Sequence, residues 1–226
     1  MASTFFGLHI GSSALSSFQV ATNTTANNIA NVKTTGYTRQ EATLQAKDAI
    51  NVTARYGSVG TGVTVTSIKQ QRDLYYDNKY WENNSCYGRY EQKLYYMNQI
   101  QNYFKDNGSS VKGFSSVFSQ MFSDLDTLRS KPSDKTVRNQ FISSAQSLCT
   151  YFNQMSDNLS KLQDDCNEEI RNNVDKINSI SEKISLLNKE INQIETGTGV
   201  EASSLRDERA NLIDSLSKIV NVSYNE

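Results

Sequence analysis

The chain has 226 residues, of which 37% are hydrophobic, with a net charge of −1 and a mean hydropathy of −0.59; this composition suits one or two polar domains with wide solvated faces rather than a large spherical core. No run approaches the ~20 consecutive apolar residues of a membrane span, no basic segment followed by an apolar stretch and a cleavage site opens the chain, and near-neutral charge without a basic cluster argues against nucleic acid as a partner. Cys86, Cys149 and Cys166 lack the close spacing of a zinc or redox motif and are expected as reduced packing residues.

Residues 4–31 contain no Pro, and Leu15, Phe18, Thr22, Ala26 and Ile29 recur at helical spacing, which predicts a helix. Its padding of Ser, Thr and Asn lowers helix propensity, so this helix is expected to order only when packed on a partner. Phe5, Phe6, Leu8 and Ile10 add an apolar tip. The stretch Thr25-Ala26-Asn27-Asn28-Ile29-Ala30-Asn31-Val32-Lys33-Thr34-Thr35-Gly36-Tyr37-Thr38-Arg39-Gln40 then ends the helix. Asn satisfies nearby backbone, and Gly36 is suited to positive φ.

From 37 to 69 the period changes to two. Val63 and Val65 alternate with Thr64 and Thr66, Val52 and Ala54 lie upstream, and Tyr56–Gly62 supplies turn chemistry, predicting a β-hairpin. Residues 70–107 return to helix, with Tyr76, Tyr80, Tyr87, Tyr90, Leu94, Met97 and Phe104 on one face, beside the single Trp81. Such a stripe is expected as core with hydroxyls at its wet margin. Asn107-Gly108-Ser109-Ser110 breaks that helix, and 113–130 forms a shorter one through Phe114, Val117, Phe118, Met121, Phe122 and Leu125.

The longest element is 134–195, free of Pro and Gly, with Ser133 as its expected N-cap. Apolar residues run Phe141, Ala145, Leu148, Phe152, Met155, Leu159, Leu162, Cys166, Ile170, Val174, Ile177, Ile180, Ile184, Leu187, Ile191 and Ile194. At 1.5 Å per residue this is a rod roughly 90 Å long. Spacing of four, four and four between Leu162 and Val174 rotates the stripe there. A uniform homodimeric coiled coil is thereby disfavoured, and the cover is expected to come from other helices of the same chain, leaving a monomer in solution. Thr196–Gly199 closes the rod. A final helix over 202–219 carries Leu205, Arg209, Leu212, Leu216 and Ile219, and Ile219, Val220, Val222 and Tyr224 read as the start of a strand within which the chain stops, as expected of a fragment.

The predicted fold is therefore mainly α: an elongated antiparallel helical bundle around one very long helix, with a small β-hairpin region near 37–69. The expected divisions are 1–36, 37–69, 70–219 and 220–226. No catalytic constellation emerges. His9 is the sole histidine and sits in the N-terminal tip, Asp164, Asp165, Glu168 and Glu169 read as a solvated face, and the glycines at 57–62 join strands rather than preceding a helix. No enzyme, cofactor or metal is expected.

The sixteen residues 25–40 resemble the N-terminal signature of the flagellar axial proteins of rod, hook and hook–filament junction, with Thr35 where the family commonly has Pro. Tyr37-Thr38-Arg39-Gln40 is most similar to the hook-associated members at the junction, as is Leu205-Arg206-Asp207-Glu208-Arg209-Ala210-Asn211-Leu212, in which Arg206, Glu208 and Ala210 depart from the family pattern. The resemblance implies a secreted, extracellular structural subunit of the bacterial flagellum, delivered by the flagellar type III export apparatus with an export chaperone. It implies partners in other copies of itself, the hook protein and a second junction protein. Leu15, Phe18, Asn27, Asn28, Ile29 and Asn31 are the candidate subunit-interface residues. Two alternatives are another hook or rod protein, and a secreted helical binding module or effector presenting the Tyr-rich helix; the latter requires Trp81 and its neighbouring tyrosines to be solvent-exposed.

Overall fold

The computed structural model describes residues 5–51, 57–106 and 113–224. Most of them are helical. Two compact units result, one formed by Met1–Ser85 with Ile177–Glu226 and the other by Cys86–Lys176.

In the first unit, α1 (Phe6–Ala30) leads through a turn at Gly36, whose φ is +78°, into the hairpin. Strand β1 (Gln40–Ala46) pairs antiparallel with β4 (Val63–Gln70), and the short β2 (Ile50–Asn51) and β3 (Ser58–Val59) pair farther along. The ladder runs from Gln40 opposite Gln70 to Ala46 opposite Val63, with a bulge between Thr43 and Leu44. Val63 and Val65 thus pair with Ala46 and Leu44; positions 52, 54 and 56 lie outside the described residues. Helix α1 lies across both β1 and β4. Its approach is close: the Ser17 hydroxyl donates to the Val63 carbonyl at 3.2 Å, and a Cβ added to Gly62 would stand 2.2 Å from Ser13 Oγ.

The same unit contains the start of α2 (Leu74–Tyr103), the end of α4 (Lys135–Thr198) and α5 (Ser203–Ser217). Gly199, at φ +69°, allows the reversal between α4 and α5. Glu195 fastens it: Arg206 donates Nε and Nη2 to its two oxygens at 2.7 and 2.9 Å, and the Ala202 N–H adds a bond at 3.1 Å. Leu187, Ile191, Ala202, Ala210, Ile213 and Trp81 are the buried apolar side chains of this unit. On α5 the most buried positions are Asp207, Ala210, Ile213 and Ser217, so the expected stripe of Leu205, Arg209, Leu212 and Leu216 is only half-buried beside them. Residues 221–224 form no strand. They have no ladder partner; instead the Tyr224 ring meets Trp81 edge-on at 5.9 Å and lies under the Arg209 guanidinium at 5.2 Å.

The second unit joins the rest of α2 to α3 (Phe114–Ser130) and the first part of α4. The predicted break at 107–110 lies outside the described residues. Asp106 caps α3, taking the Ser116 N–H at 2.8 Å and its hydroxyl at 2.6 Å. Phe114 stacks on Phe118 at 5.2 Å and reaches Phe152 at 5.9 Å, while Phe118 meets Phe122 at 4.7 Å. The cap of α4 is Asp134 rather than Ser133, because Asp134 Oδ1 accepts the Thr136 N–H at 2.8 Å, two residues on.

Two stripes are turned relative to expectation. On α4, each four-residue step advances the side chain about 40° beyond a full turn, so three such steps from Leu162 carry Val174 off the covered face. Ile170 and Val174 are accordingly exposed, and Glu169 and Asn173 take the covered positions. Glu169 is satisfied there by the Tyr96 hydroxyl. On α2, the Tyr76, Tyr80, Tyr87, Tyr90, Leu94, Met97 and Phe104 row is exposed, not core. The row one position over, with Trp81, Asn84 and Gly88, faces inward, because Trp81 and Asn84 find polar partners on α5. Cys86 and Cys149 are also exposed and Cys166 half-buried, so two of the three thiols are not packing residues.

Candidate functional site

Two features of the first unit bear on function: the outward face of α1, and the joint at the base of the hairpin. A surface helix ordinarily turns its apolar stripe inward. Here the side chains α1 buries are Ser17 and Thr24, small groups that let the helix approach the hairpin closely, and Thr24 returns its hydroxyl to the Val20 carbonyl at 3.0 Å. Ile10, Ala14, Val20 and Ala21 are half-buried beside them, whereas Leu15 is 72% exposed, Phe18 60% and Ile29 69%, with Leu8 also exposed. The intrachain face of α1 is thus a mixed stripe of small polar and aliphatic side chains, and a second apolar row of Leu8, Leu15, Phe18 and Ile29 stays exposed.

The three candidate asparagines lie at the helix end and are engaged within the chain. Asn28 pairs with the backbone of one residue in both directions, donating from Nδ2 to the Gln40 carbonyl at 2.8 Å and accepting the Gln40 N–H at 2.9 Å through Oδ1. The same oxygen accepts the Tyr37 hydroxyl at 2.8 Å, and Asn27 Nδ2 donates to that hydroxyl at 3.1 Å. Asn31 closes the turn, donating to the Asn27 carbonyl at 3.0 Å and its Oδ1 at 2.9 Å while accepting Thr34 Oγ1 at 3.1 Å. The signature thus acts as a buckle that folds residues 37–40 back along α1. Leu15, Phe18 and Ile29 are not part of it.

The buckle is joined to α5. Asp207, 9% exposed, accepts the Thr38 N–H at 3.3 Å on one oxygen and Gln70 Nε2 at 2.8 Å on the other, so one carboxylate holds both strands at the hairpin base. Gln70 Nε2 also donates to the Ser203 carbonyl at 2.9 Å. Burial, and then the negative charge of Asp207, push the Tyr37 hydroxyl above its ordinary pKa. Below this joint, Trp81 Nε1 donates to Asp214 Oδ1 at 2.7 Å, and Asn84 Nδ2 reaches the Asp214 carbonyl and Ser217 Oγ at 3.0 and 2.8 Å. The two sequence motifs, 169 positions apart at the Thr38–Asp207 bond, meet in space.

Asp207, Asn211 and Asp214 belong to the segment that resembles the hook-associated members, but neither they nor Gln70 carried a site role from the sequence. The readable signal was an acidic residue on the same helical face as Ala210 and Ile213, where a carboxylate needs donors to be covered. Trp81 is 2% exposed and cannot belong to a ligand-stacking surface, although the tyrosines near it are exposed. Among the described residues no group of three or more His, Cys, Asp or Glu is set to hold a metal, and no helix is long and apolar enough to cross a membrane.

The family described as "Flagellar hook-associated protein FlgK helical domain" matches residues 97–226, and that described as "Flagella basal body rod protein" matches residues 8–38. Flagellar hook-associated protein 1 of Bacillus subtilis (strain 168) is 34% identical over 233 residues, covering 100% of this chain and 45% of the relative. Its namesake from Salmonella typhimurium (strain LT2) is 33% identical over 217 residues, covering 93% and 37%, and that from Escherichia coli (strain K12) is 32% identical over 216 residues, covering 93% and 38%. The chain spans less than half the length of these relatives.

Proposed function

The chain belongs to the flagellar hook-associated protein FlgK family, and from that premise we propose that it is a structural subunit of the bacterial flagellum, joining hook to filament by subunit–subunit packing. The observation that carries this reading is the exposed apolar row of α1, Leu15, Phe18 and Ile29, on a helix whose other face already packs on the hairpin. An apolar face of this kind, left outward by a helix already held on its other side, is built for burial in an assembly. In this reading the work is binding without turnover. The subunit leaves the cell through the flagellar type III export apparatus with a chaperone, and its neighbours are copies of itself, the hook protein and a second junction protein. The helical-domain match over 97–226 favours the junction over a hook or rod position.

The test replaces Leu15, Phe18 and Ile29 together by Asp in cells lacking the chromosomal gene. The expected outcome is a purified chain with unchanged helical content and unchanged Trp81 emission, and cells whose hooks carry no filaments and shed filament subunits into the medium. Normal filaments on those hooks would overturn the proposal.

A further inference from the structure

The hairpin of the first unit has two free edges, and we propose that β1 of one copy pairs antiparallel with β4 of the next, so that the sheet continues from subunit to subunit. The inference rests on the reading of the chain as a self-assembling subunit and names one contact of the assembly.

In an antiparallel ladder, alternate residues turn N–H and C=O toward the paired strand, and the residues between them turn both groups away. The phase is fixed at each end of this hairpin: the Lys47 N–H donates to the Gly62 carbonyl at 2.9 Å, and the Gln71 N–H to the Arg39 carbonyl at 2.8 Å. With the observed register, Gln40, Ala42 and Leu44 on β1 turn their backbone outward, as do Val63, Val65, Ile68 and Gln70 on β4. The chain itself covers the ends of both edges. Asn28 takes both backbone groups of Gln40, Ser17 donates to the Val63 carbonyl, and Glu201 accepts the Gln70 N–H at 3.4 Å. Between those ends, the outward groups of Ala42 and Leu44 and of Val65 and Ile68 have no such partner among the described residues.

An extended backbone is the occupant that supplies donors and acceptors at this spacing. Room for it is present: the edge of β4 opens on a groove of about 440 Å³ between Val65–Lys69 and the α4–α5 reversal, where Val200 is 61% exposed.

The strand that fits is β1 of a second copy. Its bare positions, Ala42 and Leu44, are apolar, as are Val65 and Ile68 on β4, so the residues that exchange backbone bonds also bring apolar side chains together across the strands. In the register that the hairpin itself uses, Glu41 of the next copy stands opposite Lys69, and a pair of opposite charge closes the end of the ladder. Pairing β1 with β1, or β4 with β4, would leave the other edge of each copy bare. Pairing β1 with β4 occupies both edges of every copy, and as a heterologous contact it repeats along an assembly.

The test co-expresses two forms of the full-length protein in cells lacking the chromosomal gene, one with Glu41→Cys and the other with Lys69→Cys, each with its own tag and with Cys86→Ser, Cys149→Ser and Cys166→Ser. In the proposed pairing these two positions form a non-hydrogen-bonded pair with Cα atoms about 4.5 Å apart, within reach of a disulfide. Oxidation of isolated hook–filament structures should therefore link the two tagged chains. Using Thr64→Cys in place of Lys69→Cys moves the thiol about 17 Å along the strand, at 3.4 Å per residue, and should abolish the link. Ala42→Pro, in the otherwise unaltered chain, tests the pairing without thiols. It removes an N–H that the hairpin does not use, and should lower incorporation about tenfold while the amides of Thr43 and Gln45 stay protected from exchange. No link from position 41 to position 69 in structures that contain both chains, an equal link to position 64, or full incorporation of Ala42→Pro would overturn the pairing and leave the structural role standing. Absence of the wild-type protein from those structures would instead overturn the role itself, and the pairing with it.

Discussion

Replacing Asn28 by Ala removes three hydrogen bonds at one stroke: the pair exchanged with Gln40 at 2.8 and 2.9 Å and the bond from Tyr37 at 2.8 Å. Each is worth roughly 0.5–1.5 kcal/mol net. The site is only part-buried, so water re-solvates some of the released groups, and a total of about 1.5–3 kcal/mol follows. The loss falls on the closing of residues 37–40 against α1, because Asn28 is the side chain of that helix that holds the Gln40 N–H and carbonyl. Amide hydrogen exchange at Thr38–Ala42 should therefore accelerate by about 10- to 100-fold, at 1.4 kcal/mol per tenfold. Exchange in α3, within the other unit, should stay unchanged. Asn28→Asp retains two acceptor bonds but sets a carboxylate against the Gln40 carbonyl, so it should fall between wild type and Ala. Protection of Gln40 within threefold of wild type in Asn28→Ala would refute the view that the asparagine signature is an internal buckle.

The Glu195 carboxyl is held down to about 2, first by its hydrogen bonds from Arg206 and against the opposing effect of burial. A carboxylate whose pKa is lower in the folded chain stabilises it above its unfolded pKa and loses that contribution as pH falls through the folded value. The α4–α5 reversal should thus weaken between about pH 5 and pH 2, seen as faster exchange at Ala202–Arg206, and Glu195→Gln should flatten this pH dependence; an unchanged slope in the variant would refute it. Gly36 sits at φ +78° with Asn211 Oδ1 only 1.9 Å from where a Cβ would stand. Gly36→Ala should cost about 1–2 kcal/mol for the left-handed backbone alone, plus the displacement of Asn211. Adding Asn211→Ala should restore the second part and not the first, as a double-mutant cycle in chemical denaturation would show.

Much of the architecture was legible because chain breaks are local. Gly36, the Lys131–Ser133 segment and Gly197–Gly199 end elements for reasons carried by their own backbones, and the long Pro-free stretch between them had little choice but helix. Which side of each helix is covered was less legible. An apolar period fixes a stripe to within one position, and one position on a helix is about 100°. On α2 the rows beginning at Tyr76 and at Asp77 both satisfy a helical period; the choice falls to Trp81 and Asn84, whose partners Asp214 and Ser217 lie more than a hundred residues away. The carboxylate of Asp207 was hidden for the same reason. Its ligands Thr38 and Gln70 come from the two strands of a hairpin that closes only when α5 folds back.

The helix that most departs from the usual rule is also the one that bears most on function. A stripe read from sequence carries no statement about whether its cover comes from the same chain. For α4 and α5 the cover is internal, and Leu187, Ile191 and Ile213 are buried. For α1 the internal face combines Ile10, Ala14, Val20 and Ala21 with Ser17, Thr24 and the asparagines, while Leu15, Phe18 and Ile29 stay outside. Burying three large apolar side chains against a neighbour contributes roughly 1.5–3 kcal/mol each. In the proposed assembly, burial of that row would add to the stability that α1 already draws from its packing on the hairpin.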